Sequence, residues 1–293
     1  MSLKNFLTGG FTREQFDAVE IQIHDAAPGI LMLTGEGGNI GVSYGEDATF
    51  MVDTQFAPLT DKLLSAIATR TAHPIAYVLN SHWHADHVGG NANLMKHGAT
   101  IIAHTNVRKR LGTDQFLESL GVRVPASHPE ALPSSTFTDK ISFYLNGEEI
   151  EIFHAVNAHT DGDAIVHFVQ GNVIQMGDTY FNGMYPLIDV DTGGSIDGMI
   201  AVADEVLSRS DNNTKIIPGH GPLSNHLELQ ASRDMLLTVR DAVASLMDQG
   251  MDQQQIIAAK PTSDIDADWE GGVLEPDVFV EHVFTSLSQS VVE

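Results

Sequence analysis

The chain has 293 residues, enough for one large α/β domain or two modest ones. Its 15 Lys and Arg against 39 Asp and Glu give a net charge of −24, which repels phosphate backbones and anionic lipid surfaces and so disfavours nucleic acid as a partner. The sequence contains no cysteine, which excludes disulfides, thiol nucleophiles and iron–sulfur clusters; any metal ion must be held by His and carboxylate side chains.

The sequence shows no clear membrane-spanning or secretory targeting signal. No apolar run approaches the roughly 20 residues that span a bilayer, and no signal-peptide pattern precedes the first acidic segment, so no membrane partner is expected. If the opening Met1, Ser2 and Leu3 replace a removed leader, we expect a periplasmic or secreted protein, and otherwise a cytoplasmic one. Composition leaves the oligomeric state open.

Short apolar runs separated by glycine-rich turns predict strands in the first half, at 30–33, 40–43, 48–52, 75–79 and 99–103, with helices at 58–67, 92–96 and 106–111. The second half repeats the plan, with strands near 140–145, 149–153, 164–169, 173–176 and 215–217 and helices over 195–207 and 227–247. Two such halves favour an α+β fold in which two sheets pack face to face with helices outside.

The end of the chain is predicted to be helical near 253–259 and 277–287, with an ordered surface loop over 261–276 around Trp269. No linker forces a second folding unit. We expect one main domain over 1–250 and an acidic helical extension over 251–293 packed on the same domain.

A dense cluster of metal-binding residue types follows the predicted strand 75–79. The sequence NSHWHADHVGG, residues 80–90, places His82, His84, Asp86 and His87 within six positions. Alternate side chains of an extended segment share one side, and the next turn can aim two more side chains at the same point. The spacing therefore predicts a metal site, against the alternative of a solvated polar loop.

Three further residues strengthen this prediction. They are His159 in AHTDGD, Asp178 in MGDT and His220 in PGHG. Asp178 and His220 come just after predicted strands, and His159 just before one. Ligands at the ends of different strands can converge on one edge of a sheet sandwich. Any one of the three alone is more often a solvated or packed side chain.

The order of these motifs resembles the metallo-β-lactamase-fold hydrolase superfamily over about residues 29–247. The resemblance implies a four-layer αβ/βα sandwich with two metal ions at one edge, and the catalytic domain would then be 1–250. The implied ligands are, for site one, His82, His84 and His159; for site two, Asp86, His87 and His220; and, bridging both, Asp178.

Departures from the family pattern separate its branches. Lactamase-type members usually carry Cys or Ser where this chain has Asp178, so the ligand set is similar to that of glyoxalase II and lactonases. Lys260 is the only Lys or Arg after Arg240, so the basic cluster that would hold glutathione's carboxylates is not found. His84 stands where flavodiiron oxygen reductases carry Glu. The segments HTDGD and PGHGP look more like exported hydrolases close to the lactamase lineage.

The resemblance implies a hydrolase in which two Zn²⁺ ions, or Fe or Mn, lower the pKa of a shared water and deliver a bridging hydroxide to an ester, lactone, thioester or amide. Asp86 would be the catalytic residue that orients this hydroxide. Candidate contacts to the small-molecule substrate are Tyr180, Asn182 and Tyr185, although loop structure explains them equally well. The alternatives are a β-lactamase, a mononuclear iron sulfur or oxygen redox enzyme, a non-catalytic binder and, disfavoured by charge, a nuclease.

Four neighbouring residues receive structural interpretations. Asp53, at the end of the predicted strand 48–52, either orients a ligand histidine or caps a turn. Trp83 points away from its neighbours if the segment is extended, and is expected to pack in the core. Asp189 and Asp191 are expected to cap turns rather than to bind a third metal ion.

Overall fold

The computed structural model describes residues 8–119, 121–272 and 274–290. No helix within these ranges is both long and apolar enough to cross a membrane. Two β-sheets pack face to face, and helices cover both outer faces. The predicted α+β four-layer sandwich is thereby confirmed.

The strands of the described residues are β1 (Gln22–Ala27), β2 (Ile30–Thr34), β3 (Ile40–Tyr44), β4 (Thr49–Val52), β5 (Ile75–Asn80), β6 (Thr100–His104), β7 (Gln115–Leu117), β8 (Val122–Val124), β9 (Ser135–Phe137), β10 (Lys140–Leu145), β11 (Glu148–Ala155), β12 (Asp163–Phe168), β13 (Val173–Phe181), β14 (Lys215–His220) and β15 (Ser224–Asn225).

The helices are α1 (Arg13–Ala18), α2 (Thr60–Ala68), α3 (Ala85–Val88), α4 (Asn91–Lys96), α5 (Thr105–Leu111), α6 (Ile196–Arg209), α7 (His226–Asp248), α8 (Gln253–Ala258), α9 (Asp266–Trp269) and α10 (Pro276–Ser290). Short 3-10 turns lie at Ala57–Leu59, Pro129–Ala131 and Val190–Thr192.

The first sheet has the strand order β1-β2-β3-β4-β5-β6-β9, antiparallel as far as β4 and parallel from β4 to β9. The second has the order β10-β11-β12-β13-β14-β15, in which only β13 and β14 run parallel. Strands β7 and β8 form a separate hairpin. Parallel pairing brings the carboxyl ends of neighbouring strands to one edge, which is where loops can be varied without disturbing the core.

The apolar layer between the sheets is fully buried. Phe50 and Val52 of β4 contribute from one side, and Val166 and Phe168 of β12 from the other. Burying a side chain of this size stabilises the fold by about 1.5–3 kcal/mol. The strands on both sides are rich in β-branched and aromatic residues, which fit a pleated, packed surface.

Helices α1, α2 and α4 cover the first sheet, and α6, α7, α8 and α10 cover the second. Helix α6 begins where the Ser195 hydroxyl accepts a hydrogen bond from the Gly198 amide, and α7 begins at Asn225, which caps two amides. Buried positions along α7, such as Leu229, Leu236 and Val243, recur at helical spacing and form its core face.

Several elements differ from the sequence predictions. Asp178 was expected just after a strand, but β13 continues through it to Phe181, because the strand still pairs with β14 beyond a register shift. Gly177, at φ +52°, lies at that irregularity. The expected loop 261–276 contains the one-turn helix α9. Short elements such as α1, α3 and the β7–β8 hairpin lack the length that periodicity needs for detection.

The end of the chain packs against the rest of the second helical layer. Helix α10 contacts α7, α8 and α6. Its buried side chains Phe279, Val280 and Val283 belong to the same core cluster as β13. The division into a domain over 1–250 and an extension over 251–293 stays a prediction; residues 1–7 and 291–293 lie outside the described part of the chain.

Candidate metal centre

Two adjacent groups of possible metal ligands lie at the edge where β5, β13 and β14 end. The first group is His82, His84, His159 and Asp178; the second is Asp86, His87 and His220. Within each group, one ligand atom per residue lies within 4.8 Å of the others. The structure thus brings together all seven residues that the sequence singled out, and their role as ligands is a proposal taken up below.

The local backbone explains how four of these side chains reach one point. After β5 ends at Asn80 the backbone bends over residues 81–83 and is extended again at His84. The His82 and His84 rings meet edge to face, with centroids 4.8 Å apart, while Trp83 packs in the core, where it is 2% exposed. Helix α3 then begins at Ala85, and its first turn carries Asp86 and His87. Trp83 packs as predicted, and its indole nitrogen donates to Thr192 Oγ1 over 3.3 Å.

Two imidazoles of the first group face each other. His84 Nε2 lies 2.9 Å from Asp189 Oδ2, and His159 Nδ1 lies 2.8 Å from the Leu187 carbonyl oxygen. Because these oxygens only accept, each nitrogen bonded to them carries the proton in the neutral ring. The other two nitrogens, His84 Nδ1 and His159 Nε2, are 3.0 Å apart and present lone pairs to each other. A cation bound by both nitrogens would relieve this repulsion.

Asp53 orients two further imidazoles. Its Oδ2 lies 2.8 Å from His87 Nδ1 and accepts the Ser81 hydroxyl at 2.6 Å, while Oδ1 accepts the Ser81 amide at 2.7 Å. Ser81 Oγ in turn lies 3.1 Å from His82 Nδ1. Of the two interpretations offered for Asp53, the contacts favour orientation of a histidine, since a carboxylate partner fixes the tautomer and direction of a ring.

Three inward-facing atoms of this framework lack hydrogen bonds. Among the described residues, His82 Nε2, His87 Nε2 and Asp178 Oδ1 are buried and have no hydrogen-bond partner. His87 Nε2 lies 3.0 Å from Asp178 Oδ1, but off the direction that a hydrogen bond needs. Buried polar atoms are nearly always paired in native proteins, so these unpaired nitrogen and oxygen donors fit a bound metal ion.

The first group is held in the protonation state that metal binding requires. Burial, together with the neighbouring His87, lowers the pKa of His82 well below its ordinary value. Burial and the adjacent His84 lower the pKa of His159 to about 4. Both rings are therefore neutral near pH 7, as a ligand imidazole must be.

The carboxylates of Asp178 and Asp86 favour positive charge on the histidines of the second group. Burial alone would raise the pKa of Asp178, but the neighbouring His87 and His220 lower it well below its ordinary range. Conversely, burial would lower the pKa of His220, yet the carboxylates of Asp178 and Asp86 raise it to about 9. A pocket that favours positive charge this strongly suits a divalent cation.

The proposed substrate contacts have their polar atoms engaged within the protein. Tyr180, 2% exposed, bonds through its hydroxyl to Ser224 and Asn182, over 2.7 and 3.0 Å. Tyr185, 1% exposed, donates to Asp266 Oδ1 over 2.9 Å. Asn182 is half-buried beside His220, whose carbonyl accepts the Asn182 amide at 2.9 Å. Substrate contact by these residues stays a prediction.

Asp189 is a residue whose role the sequence analysis missed in part. It caps the turn Val190–Thr192 as expected, because its carboxylate accepts from the Thr192 amide and hydroxyl. The same carboxylate also binds His84, 105 positions earlier. No local pattern signals that contact. Asp191, by contrast, accepts hydrogen bonds from the Ser119 hydroxyl and amide, over 2.6 and 3.0 Å, which fits a structural role.

A second missed residue is Asp163 in the segment AHTDGD. It accepts hydrogen bonds from the His159 amide at 2.7 Å and from the Thr160 amide and hydroxyl at 2.8 and 2.6 Å. Burial raises the pKa of Asp163 to about 8, although the hydrogen bonds from Thr160 and His159 act to lower it. Asp163 therefore closes the turn that holds His159 in place. An Asp four residues after His159 is a local pattern typical of a capped turn, so the sequence alone could have indicated this role.

Comparison with known families assigns the class. Residues 33–220 match the family model of the metallo-beta-lactamase superfamily, and the chain belongs to this superfamily. Relatives by sequence include the hydroxyacylglutathione hydrolases of a Polaromonas species, 27% identical over 179 residues, and of Nitrosococcus oceani, 26% identical over 184 residues. Each alignment covers 60% of this chain and 60% of the relative, so the chain spans about three fifths of the length of these hydrolases.

Solved structures share the fold. The inverting sec-alkylsulfatase Pisa1 from Pseudomonas sp. superposes with a TM-score of 0.67 at 16% identity, over 90% of this chain and 50% of the sulfatase. The DIM-1 metallo-beta-lactamase gives a TM-score of 0.60 at 21% identity, over 75% of this chain and 99% of the lactamase. These structures show the fold that the chain shares, and its place in the superfamily rests on the family model.

Proposed function

We propose that the chain is a dinuclear hydrolase that binds Zn²⁺ at both groups and cleaves a small ester, lactone, thioester or amide. The observation that carries the proposal is the position of Asp178 between the two groups. Its Oδ1 lies 3.0 Å from His87 Nε2 of the second group, and its Oδ2 lies 3.4 Å from His220 Nε2 of that group and 3.7 Å from His82 Nε2 and from His159 Nε2 of the first. A single carboxylate this close to histidines of both groups suits a bridging ligand.

Two dications held here would activate a water nucleophile at neutral pH and polarise the carbonyl under attack. The chain's own contribution is orientation. The Asp86 carboxylate stays ionised, because His87 and His220 lower its pKa below the ordinary range although burial opposes them. Its Oδ2 lies 3.3 Å from His220 Nε2, beside the second group. We assign Asp86 as the acceptor that holds the attacking water by a hydrogen bond.

Charge favours an uncharged ester or lactone over a glutathione thioester. Every Lys and Arg beyond position 225 is ion-paired: Arg233 with Asp204 and Asp234, Arg240 with Asp197 and Asp241, and Lys260 with Asp277. The half-buried Glu36 lies within the electrostatic influence of Asp86 and His220. A substrate with two free carboxylates would meet an added negative charge there. The thioester is kept as the second candidate, because hydroxyacylglutathione hydrolases are among the relatives.

The test combines metal analysis with a substrate panel. The protein is loaded with Zn²⁺, its metal content is measured, and a neutral aryl ester, a lactone and a glutathione thioester are assayed before and after chelation. We expect two equivalents of Zn²⁺, with ester or lactone hydrolysis lost on chelation and restored by Zn²⁺. One equivalent of iron with oxygen uptake would overturn the proposal in favour of the redox alternative. No turnover by the fully loaded protein on any substrate would indicate a binder.

A further inference from the structure

The end of the chain contacts one particular segment beside the metal centre, residues 184–196. The Tyr185 amide donates to the Trp269 carbonyl over 2.9 Å, and the Tyr185 hydroxyl donates to Asp266 Oδ1 over 2.9 Å. The Tyr185 ring stacks on Phe279 of α10, with centroids 4.8 Å apart and planes 21° from parallel. Tyr185 is thus held by its backbone, its ring and its hydroxyl, all from residues after 265.

The contacts continue along the segment. Met184 forms an isolated β-bridge with Glu270, and the Ile196 amide donates to Ser286 Oγ of α10 over 2.9 Å. Helix α10 also packs against the turn Val190–Thr192. There the buried His282 lies within the electrostatic influence of Asp189 and Asp191. Both ends and the middle of segment 184–196 are therefore in contact with the last thirty residues described.

Segment 184–196 supports the two imidazoles that face each other in the first ligand group. Asp189 binds His84 Nε2 through its side chain, over 2.9 Å. The Leu187 carbonyl binds His159 Nδ1 over 2.8 Å, and the Asp189 amide donates to the His159 carbonyl over 2.9 Å. Partners of this kind set the tautomer and direction of a ligand ring.

The second ligand group has a different support. Asp53 at the end of β4 binds His87 Nδ1, and the carbonyl of His87 accepts from the Thr54 amide over 2.7 Å. Among the hydrogen bonds of the described residues, none joins segment 184–196 to Asp86 or His87. The two groups can therefore respond differently to a change at the end of the chain.

We propose that residues 262–272 and 274–286 are a positioning element for site one: they hold segment 184–196, which fixes the imidazoles of His84 and His159. This inference rests on the proposed metal centre. It lies outside the matched family region, which ends at residue 220. The acidic extension then has a function in the hydrolase beyond adding bulk to the core, and Tyr185, Asp266 and Phe279 are its positioning residues.

The experiment uses the full chain loaded with Co²⁺, whose absorption spectrum reports the geometry of its ligands. Competition with a chelator measures the affinity of each bound ion. Tyr185→Phe removes only the hydroxyl that donates to Asp266, and Phe279→Ala removes the stacked ring. Phe168→Ala is the matched control, because Phe168 is equally buried but lies at the end of β12 remote from Asp163 and the site. Phe279→Leu restores bulk without the ring and tests rescue.

We expect Tyr185→Phe to weaken the affinity of one ion about 3-fold to 10-fold and Phe279→Ala to weaken it about 10-fold to 100-fold, the range seen for partners of ligand residues. The other ion should keep its affinity, the cobalt spectrum should change only for the weakened ion, and Phe168→Ala should lower thermal stability without changing either affinity. Wild-type affinities in both Tyr185→Phe and Phe279→Ala would overturn the proposal.

Amide hydrogen exchange in segment 184–196 tests the positioning element without relying on bound metal. Its failure can therefore be distinguished from failure of the proposed function. If the wild-type protein binds no divalent ion, the proposed function fails, and exchange in the metal-free protein decides the inference. Faster exchange across 184–196 in Tyr185→Phe, with unchanged exchange in α3, supports the positioning element. Unchanged exchange in that segment overturns it, whatever the metal result.

Discussion

Four imidazoles of the centre have one nitrogen bound to a protein oxygen and the other directed at the ligand cluster. The outward bonds go from His82 to Ser81, from His84 to Asp189, from His87 to Asp53 and from His159 to Leu187. In three of them the bonded nitrogen is Nδ1, and in His84 it is Nε2. The structure therefore predicts that His84 alone of these four offers Nδ1 to a metal ion, since the partner of one ring nitrogen decides which nitrogen is left to coordinate.

At the scale of the residue, His82→Ala is the direct test of the ligand set. The imidazole is 1% exposed and its Nε2 has no hydrogen-bond partner among the described residues, so its removal takes away a donor without breaking a structural bond at that atom. We expect turnover to fall by more than about 100-fold, because loss of a residue that only hydrogen-bonds to a metal ligand already costs up to about 100-fold. The circular dichroism spectrum should change little. Full activity in metal-replete buffer would remove His82 from the ligand set.

The sequence located the ligand candidates well because four of them are consecutive or nearly so in NSHWHADH, and the others carry recognisable neighbours. It could not locate their supports equally well. From the sequence, two interpretations of Asp53 stay open and Asp189 is predicted only to cap a turn, because the contacts with His87 and His84 join positions 34 and 105 residues apart. Such pairs become visible only when the fold brings distant strand ends together.

At the scale of the element, α3 depends on its neighbours for its position. A helix of four residues cannot persist alone, because nucleation costs more than one turn of hydrogen bonds returns. The turn between β2 and β3 holds it through the Gly38 amide, which donates to the Asp86 carbonyl over 3.3 Å, and the end of β4 holds it through Thr54. The helix that carries Asp86 and His87 is thus fixed by two strands of the first sheet.

Gly38→Ala tests this packing. A Cβ at position 38 would lie 2.0 Å from His87 Cε1 and 2.4 Å from His87 Nε2, so the imidazole must shift. We expect a loss of about 1–3 kcal/mol in unfolding free energy from overpacking and a weakened second metal ion, measured by thermal denaturation and chelator competition. Gly112→Ala is the control, because its nearest atom, the Arg108 carbonyl oxygen, lies 3.2 Å away. Equal metal affinity in both variants would contradict the packing argument.

Longer elements followed from sequence periodicity, and shorter ones did not. Helices α6 and α7 were predictable because apolar spacing persists over several turns. Helix α9, with four residues inside a segment rich in Asp, Gly and Pro, has no period to detect, and its place is set by contact with Tyr185. The extent of β13 was likewise fixed by pairing with β14, a tertiary effect.

At the scale of the whole molecule, the net charge of −24 is distributed so that many basic side chains are neutralised locally. Arg110 binds Asp161 over 2.8 Å beside the His159 turn, and Arg209 binds Glu151 and Glu205. Surface pairs of this kind add little stability, but they reduce the positive charge that these side chains present to a bound anion. At the metal centre, bound metal ions would supply positive charge to an anionic substrate.

This distribution bears on β-lactam hydrolysis, which the superfamily membership and the likeness to DIM-1 invite. The lactam ring is strained and already activated, so a hydrolytic site of this kind can open it. A β-lactam antibiotic carries a carboxylate, however, and the described residues after Asn225 provide no unpaired Lys or Arg to receive it. Asp178, a carboxylate close to histidines of both ligand groups, also stands where lactamase-type members carry Cys or Ser, which changes how a leaving amide nitrogen is stabilised.

We therefore expect weak lactamase activity beneath a better activity on an uncharged ester or lactone, with kcat/KM for the best lactam at least about 100-fold lower. Steady-state kinetics of the zinc-loaded protein on a penicillin, a cephalosporin, a carbapenem, a lactone and a thioester measure this directly. Raising the ionic strength should improve the lactam rates relative to the lactone rate, because screening weakens the repulsion between the acidic surface and the anionic substrate. If a lactam reaches kcat/KM above about 10⁵ M⁻¹s⁻¹, within the range of dedicated enzymes, the protein is a β-lactamase with an unusual bridging carboxylate, and the charge argument is wrong.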